Sequence, residues 1–273
     1  MSWAIQTTPV TPPETAAVRQ ALSTIVPSAA TTSVADLQGE YYIQFLTRMH
    51  AALRPKTYLE IGTFTGESLA VANCASISVD PDFRAESGRI GTKPFCGFYQ
   101  MTSDDFFAAH SPTAIFGRPV DIAFLDGLHW AEALLRDFIN TERHCRSNSV
   151  VVLHDCVPVD VHITDRDGGS GLQKRGTRPD WWTGDVWKIL PILRRLRPDL
   201  SIHVLDASPT GLALITNLDP ANTILETNYA ACLRDIRELD LERHGIRRFI
   251  DEQDIGHTAD YRTDADFAAR FWL

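Results

Sequence analysis

Tyr58-Leu59-Glu60-Ile61-Gly62-Thr63-Phe64-Thr65-Gly66-Glu67-Ser68 is the stretch that decides the fold. A short apolar run breaks into a turn bounded by two glycines and then enters residues with helical character. Strand, glycine turn and helix in that order bring backbone close to a ligand, because side chains at the glycines would stand in the way. In an open α/β sheet the ligand then binds at the strand ends. A dinucleotide site wants G-x-G-x-x-G, yet two residues after Gly62 stands Phe64, whose bulk obstructs a pyrophosphate. The spacing speaks against a nicotinamide cofactor.

Outward from this stretch, apolar runs alternate with helical patterns. Ile77-Ser78-Val79, residues 95–101, Val120-Asp121-Ile122-Ala123-Phe124-Leu125 and Val150-Val151-Val152-Leu153 read as strands, separated by helices over 67–74, 104–110 and 131–146. Strands alternating with helices predict a parallel sheet covered on both faces. Ala207-Ser208-Pro209-Thr210-Gly211 is short and turn-prone, so residues 201–205 and 212–216 read as a closing antiparallel hairpin. The fold class expected is α/β, Rossmann-like and doubly wound, with a mostly parallel seven-stranded sheet. Residues 1–54 read as an N-terminal helical cap or arm, with a short helix over 14–26 and an amphipathic one carrying Leu37, Tyr41, Phe45, Leu46, Met49 and Leu53. Residues 55–218 form the binding domain and 219–273 a helical extension. Residues 157–180 are polar and glycine-rich, a long loop of the kind that serves as a lid.

Glu60-Ile-Gly62-x-x-x-Gly66 resembles the first motif of class I S-adenosylmethionine-dependent methyltransferases. Asp80, at the end of the second strand, stands where that family's carboxylate accepts hydrogen bonds from ribose hydroxyls. Ser103, in Met101-Thr102-Ser103-Asp104, falls where the family holds adenine. The resemblance implies a cofactor site made of Glu60, Gly62, Thr63, Phe64, Gly66, Ser68, Asp80, Ser103 and Asp126. Taken singly, these residues have plainer readings: a tight turn at Gly62 and Gly66, and helix caps at Asp80 and Ser103.

Phe124-Leu125-Asp126-Gly127-Leu128-His129 and Val152-Leu153-His154-Asp155-Cys156 end neighbouring strands and aim carboxylates and imidazoles at one crevice. Oxygen and imidazole donors suit Mg²⁺, Mn²⁺ or another divalent ion. Such an ion lowers the pKa of a bound substrate hydroxyl. Together with the glycine turn, these motifs resemble the cation-dependent small-molecule O-methyltransferases of the catechol and caffeoyl-coenzyme A type, and their bacterial macrocin-type and cephalosporin-hydroxylase-like relatives. The resemblance implies metal ligands at Asp126 and Asp155, with Mg²⁺ the expected cation, and His129 is the better candidate for the catalytic base; His154 reads as a third metal ligand, as a base, or as a buried imidazole bonded to a carbonyl. The resemblance also matches Asp137 to the acid downstream of Asp-Gly-x-His. Catechol-type enzymes carry Asp-Asn where this chain has Asp155-Cys156, preceded by His154, which leaves the metal's identity open. Asp180-Trp181-Trp182-Thr183-Gly184-Asp185-Val186-Trp187 resembles a segment of the bacterial group; Trp181 or Trp182 is read as pocket wall, Trp187 as core, and a helix over 184–197 follows.

Charge and cysteine usage exclude other classes. With 26 Lys and Arg against 35 Asp and Glu, the chain carries −9, and only Arg194, Arg195 and Arg197 cluster, at a helix end where cations complement the dipole. No nucleic-acid partner is expected. Five scattered cysteines without C-x-x-C spacing predict neither a disulfide framework nor a zinc ribbon, and no apolar run is long enough for a membrane span. A cytoplasmic location is the expectation. The function expected is methyl transfer to a hydroxyl of a small-molecule acceptor; metal-independent N-methylation and a non-catalytic nucleoside-binding subunit are the alternatives. The segment from Leu37 to Leu53 and the aromatic C-terminal end serve either as a homodimer surface or as cover for the sheet, and the acids of the tail from Asp251 read as solvated surface.

Overall fold

Every apolar run read as a strand pairs with another. The computed structural model describes residues 31–85 and 87–273, and in it β1 (Thr57–Ile61), β2 (Ala75–Val79), β3 (Cys96–Tyr99), β4 (Val120–Leu125), β5 (Cys145–His154), β6 (Ser201–Leu205) and β7 (Leu212–Thr216) form one sheet. Their order is β3-β2-β1-β4-β5-β7-β6. All neighbours from β3 to β5 pair in parallel, and β7 runs antiparallel to both β5 and β6. The Rossmann-like, mostly parallel sheet with its terminal hairpin is therefore present. Strand order reverses between β1 and β4, so their carboxyl ends border the crevice where such sheets bind ligands.

The two-residue period of the strands divides the core into two faces. Leu59, Ile61, Ala123, Leu125, Val151 and Leu153 pack against Leu135 and Phe138 of α5 (Ala131–Glu142) and against Ile189 and Leu193 of α6 (Ile189–Leu196). Tyr58, Ile122, Phe124, Val150 and Val152 face Phe45, Leu46 and Met49 of α1 (Tyr42–Leu53). Both faces are dry, which explains the continuous apolar run Val150-Val151-Val152-Leu153 within β5. Residues Thr32–Leu273 form one compact unit, and no helix among the described residues is long and apolar enough to cross a membrane.

Several expectations need correction, among them the helix over 67–74, which stops at Val71. The helix expected from Leu37 starts only at Tyr42, because Gly39 and Tyr42 donate their N–H groups to the Asp206 and Ser208 carbonyls. The helix expected over 131–146 stops at Glu142, and Cys145 already belongs to β5. The helix expected over 184–197 is α-helical only from Ile189, after a single 3₁₀ turn. The acidic tail beyond Asp251 is not simply solvated surface: Tyr261, Phe267 and Phe271 are buried, and the Phe45 ring lies 5.4 Å from Tyr261 and 5.5 Å from Phe267. Some of its acids cap helices, as Asp266 does in a capping box with Thr263. The helix expected over 14–26, and most of the expected N-terminal arm, lie outside the described residues.

Arg194 and Arg195 stand in the last turn of α6, as expected, whereas Arg197 has a different role. The Arg197 side chain is fully buried, and its guanidinium donates to both Glu142 oxygens at 2.7 and 2.8 Å. It is a buried ion pair linking α5 to the end of α6.

Candidate active site

A cavity of about 700 Å³ opens at the carboxyl ends of β1, β2 and β4. Its lining includes Gly62, Thr63, Phe64, Ser68, Asp80, Ser103, Asp126 and His129, so most residues singled out in the sequence meet at one cleft. The turn after β1 is shaped by two backbone demands. Gly62 has φ +86°, and a Cβ there would lie 2.0 Å from the Asp126 carbonyl oxygen, so this glycine lets β1 and β4 end side by side. Phe64 takes φ +44°, rare for an aromatic residue, and its N–H donates to Asp80 Oδ2 at 2.7 Å. Asp80 Oδ1 accepts from the Asp82 N–H, also at 2.7 Å. The carboxylate that was expected to meet a ribose is thus fixed at the cleft wall with lone pairs to spare.

Other predicted residues stand behind the wall. Glu60 is fully buried and accepts a hydrogen bond from the Tyr58 hydroxyl at 2.5 Å. Burial pushes its carboxyl up to about 7, with the hydroxyls of Tyr58, Thr63 and Ser68 pulling it back down. Thr63 Oγ1 shares a hydrogen bond with Ser78 Oγ at 2.6 Å. Ser103 lines the cleft as the first residue of a helix, Ser103–Ala109, whose N-cap is Thr102. Asp137 is buried on α5, where burial pushes it up to about 7 against the pull of the Ser103 hydroxyl.

At the other end of the cleft four ionisable side chains converge. His129 Nε2 lies 3.2 Å from Asp126 Oδ1 and 3.3 Å from Asp155 Oδ2. His154 Nδ1 lies 3.2 Å from Asp126 Oδ1 and 3.6 Å from Asp155 Oδ1. Asp155 reaches this position with φ +59°, a left-handed conformation that aspartate tolerates better than most residues, and it accepts from the Thr210 hydroxyl. Burial alone would raise Asp126, but the imidazoles of His154 and His129 outweigh it and hold the carboxyl well below the usual range. The histidines answer in kind: burial lowers them, while Asp155 and Asp126 more than compensate, raising His129 and lifting His154 to about 9.

The donor chemistry fits a divalent cation. One atom each from Asp126, His154 and Asp155 lies within 4.8 Å of the others, and the buried His154 ring presents Nδ1 to the two carboxylates while Nε2 has no hydrogen-bond partner among the described residues. Cys156, where catechol-type enzymes have asparagine, turns away into the core, with Sγ 3.3 Å from the His154 carbonyl oxygen.

Aromatic rings cover both imidazoles. Trp182 lies 4.7 Å from the His129 ring and lines the cleft, whereas Trp187 is buried against Phe249, dividing the tryptophans between wall and core as expected. The cover of His154 is Tyr42, 4.1 Å away, a cleft residue that sequence reasoning missed. Helical periodicity had selected its neighbour Tyr41, which is 43% exposed; no local signal distinguishes the two.

Asp185 holds this wall in place. Its N–H donates to the His129 carbonyl at 3.1 Å, its Oδ1 accepts from the Ala131 N–H at 2.8 Å, and its Oδ2 pairs with Arg166 and Lys188. A Cβ on Gly184 would lie 1.9 Å from the same His129 carbonyl oxygen. The glycine permits the approach and the aspartate fastens it. The 157–180 loop is tied down as well: the Trp130 and Trp182 indole N–H groups donate to the Arg166 and Asp165 carbonyls, and Asp160 accepts from Thr177 and His162.

Residues 59–156 match the model of a methyltransferase domain family, which spans β1 to the residue after Asp155. Among solved structures it is similar to the O-methyltransferase TomG from Streptomyces achromogenes, involved in tomaymycin synthesis and solved with S-adenosylmethionine, at 18% identity over 65% of this chain and 80% of that one, with a TM-score of 0.49. It is also similar to an O-methyltransferase from Bacillus cereus in complex with S-adenosylhomocysteine, at 13% identity, 75% and 92% coverage and a TM-score of 0.44. A methyltransferase from Geobacter sulfurreducens matches at 14% identity, 76% and 98% coverage and a TM-score of 0.44. At these identities and scores the likeness does not extend to what the chain acts on. No curated protein matches the sequence.

Proposed function

We propose, from the premise that residues 59–156 are a methyltransferase domain, that this chain binds S-adenosylmethionine in the 700 Å³ cleft and transfers its methyl group to a hydroxyl oxygen of a small molecule. The observation that carries the reading is the continuity of the cleft, which runs from Asp80 and Ser103 to Asp126 and His129. A nucleoside anchored at the first pair extends its reactive end toward the second.

Each Asp80 oxygen already accepts one backbone N–H, which fixes the carboxylate and leaves lone pairs for ribose hydroxyls. Ser103 and Asp104 flank the place for the base. The negative charge of Asp126 complements the sulfonium and disfavours anionic ligands. In the transfer, the acceptor hydroxyl gives its proton to the His129 imidazole and the oxygen lone pair attacks the methyl carbon. The carbon–sulfur bond breaks with its electrons moving to sulfur, giving a methyl ether and S-adenosylhomocysteine. The carboxylates beside His129 stabilise the imidazolium that forms, as its raised pKa reflects. Asp126, His154 and Asp155 would hold a divalent cation, which when bound makes a hydroxyl more acidic and orients it. Tyr42, contributed by the N-terminal cap, and Trp182 close the cleft and align the two reactants, the main task left once the methyl group is activated.

A panel of hydroxylated small molecules, incubated with S-adenosylmethionine and read out as S-adenosylhomocysteine release, tests the proposal. Release with a hydroxylated acceptor, abolished in His129→Ala, supports it. Cofactor binding without release across the panel, or release untouched by His129→Ala, contradicts it.

A further inference from the structure

We propose that the cluster at the ends of β4 and β5 selects a borderline transition-metal dication, of the Mn²⁺, Fe²⁺, Co²⁺ or Ni²⁺ kind, over Mg²⁺, and that His154 is the residue that sets this choice. The inference rests on the reading of Asp126, His154 and Asp155 as a cation site.

Mg²⁺ is a hard ion that takes oxygen ligands in octahedral geometry and keeps several waters. Imidazole suits the softer first-row ions, and carboxylates accept both kinds. In this chain one of the three protein donors is an imidazole nitrogen that cannot be replaced by turning the ring away. His154 is 7% exposed. Tyr42 covers it at 4.1 Å and Phe124 lies 5.9 Å from it, so the ring is held between the N-terminal helix and β4. Nδ1 faces both carboxylates, at 3.2 and 3.6 Å, and Nε2 has no hydrogen-bond partner among the described residues. The polar groups that Nδ1 faces are thus the two carboxylates that would share the cation with it. A cation that accepts nitrogen takes all three donors, whereas one that demands oxygen leaves the ring as an obstruction in its shell. The neighbouring thiol does not shift the preference further toward soft ions, since Cys156 Sγ points at the carbonyls of His154 and Val186 rather than at the cluster.

Calorimetric titration of metal-free protein with CoCl₂, MnCl₂ and MgCl₂ separately, in wild type and in His154→Asp, tests the inference. Co²⁺ should bind wild type about 100-fold or more tighter than Mg²⁺, and the ratio should fall about tenfold or more in His154→Asp, where oxygen replaces nitrogen. In parallel, Co²⁺ added to ¹⁵N-histidine-labelled wild type should move a His154 ring resonance into the hyperfine-shifted range, a readout that does not depend on the variant's folding. Mg²⁺ binding as tightly as Co²⁺, an unchanged ratio in His154→Asp, or an unshifted His154 ring overturns the selectivity while leaving the methyltransferase reading intact. Absence of binding by any of the three ions removes the cation from the proposed function as well. S-adenosylmethionine binding, followed in the same protein, reports separately on the cofactor half of that reading.

Discussion

Replacing Glu60 by Gln should make the protein's stability less sensitive to pH, and the size of the effect follows from where the carboxyl lies. Glu60 is fully buried under the cofactor turn, and burial lifts it from an ordinary 4.5 to about 7. Below pH 4.5 the carboxyl is protonated in both folded and unfolded chains. Between 4.5 and 7 the unfolded chain releases the proton and the folded one keeps it, so stability falls as pH rises through this window. A window of about 2.5 pH units at about 1.4 kcal/mol per unit amounts to about 3 kcal/mol. Glutamine imitates the protonated acid, still accepting from the Tyr58 hydroxyl, and has no proton to lose. Urea unfolding of wild type and Glu60→Gln at pH 5 and pH 8 measures the difference directly, and contributions from other groups, including Asp137 with its own raised carboxyl, cancel in the comparison. Because pH 5 already lies inside the window, the variant should gain about 2.5 kcal/mol relative to wild type between the two pH values. A stability difference that is the same at pH 5 and pH 8 refutes the assignment of a neutral, buried carboxyl.

The buried Arg197–Glu142 pair gives a second expectation. Glu142→Ala leaves a fully buried guanidinium with only the partly exposed Asp199 beside it, and denaturant unfolding should show a loss of about 3–5 kcal/mol; a loss under 1 kcal/mol contradicts the pairing. Asp185→Ala keeps the backbone N–H that meets the His129 carbonyl but removes the carboxylate that holds the Ala131 N–H, Arg166 and Lys188 behind His129, so turnover should fall by about 10²-fold with S-adenosylmethionine affinity nearly unchanged. Equal loss of affinity and turnover would show that Asp185 supports the cofactor cleft rather than His129.

Much of this architecture was legible because its signals are local. The residues read as strands at 120–125, 201–205 and 212–216 are those of β4, β6 and β7, since runs of Val, Ile, Leu and Phe flanked by turn residues leave little choice. The cleft residues were legible for a related reason: Asp80, Asp126 and Asp155 interrupt or end apolar runs, and a carboxylate at such a place needs a purpose. What escaped is settled between distant segments. Gly184 and Asp185 look like a helix start, yet their backbone and side chain are drawn to His129 and Ala131, more than 50 residues earlier. Tyr42 reads as one more aromatic of an amphipathic helix, and only the pairing of Tyr42 N–H with the Ser208 carbonyl fixes where that helix begins and which ring reaches His154. The acidic tail reads as solvent-facing because three buried aromatics are diluted among charges, and their partner Phe45 lies over 200 residues away.

If one cleft serves a methyl donor at its Asp80 end and chemistry at its His129 end, calorimetry of S-adenosylmethionine binding will separate the two ends. Wild type should show one site, Asp80→Ala about tenfold or more weaker binding, where hydrogen bonds to the ribose are lost, and His129→Ala nearly unchanged binding. No binding to wild type, or binding indifferent to Asp80→Ala, would contradict this division of the cleft.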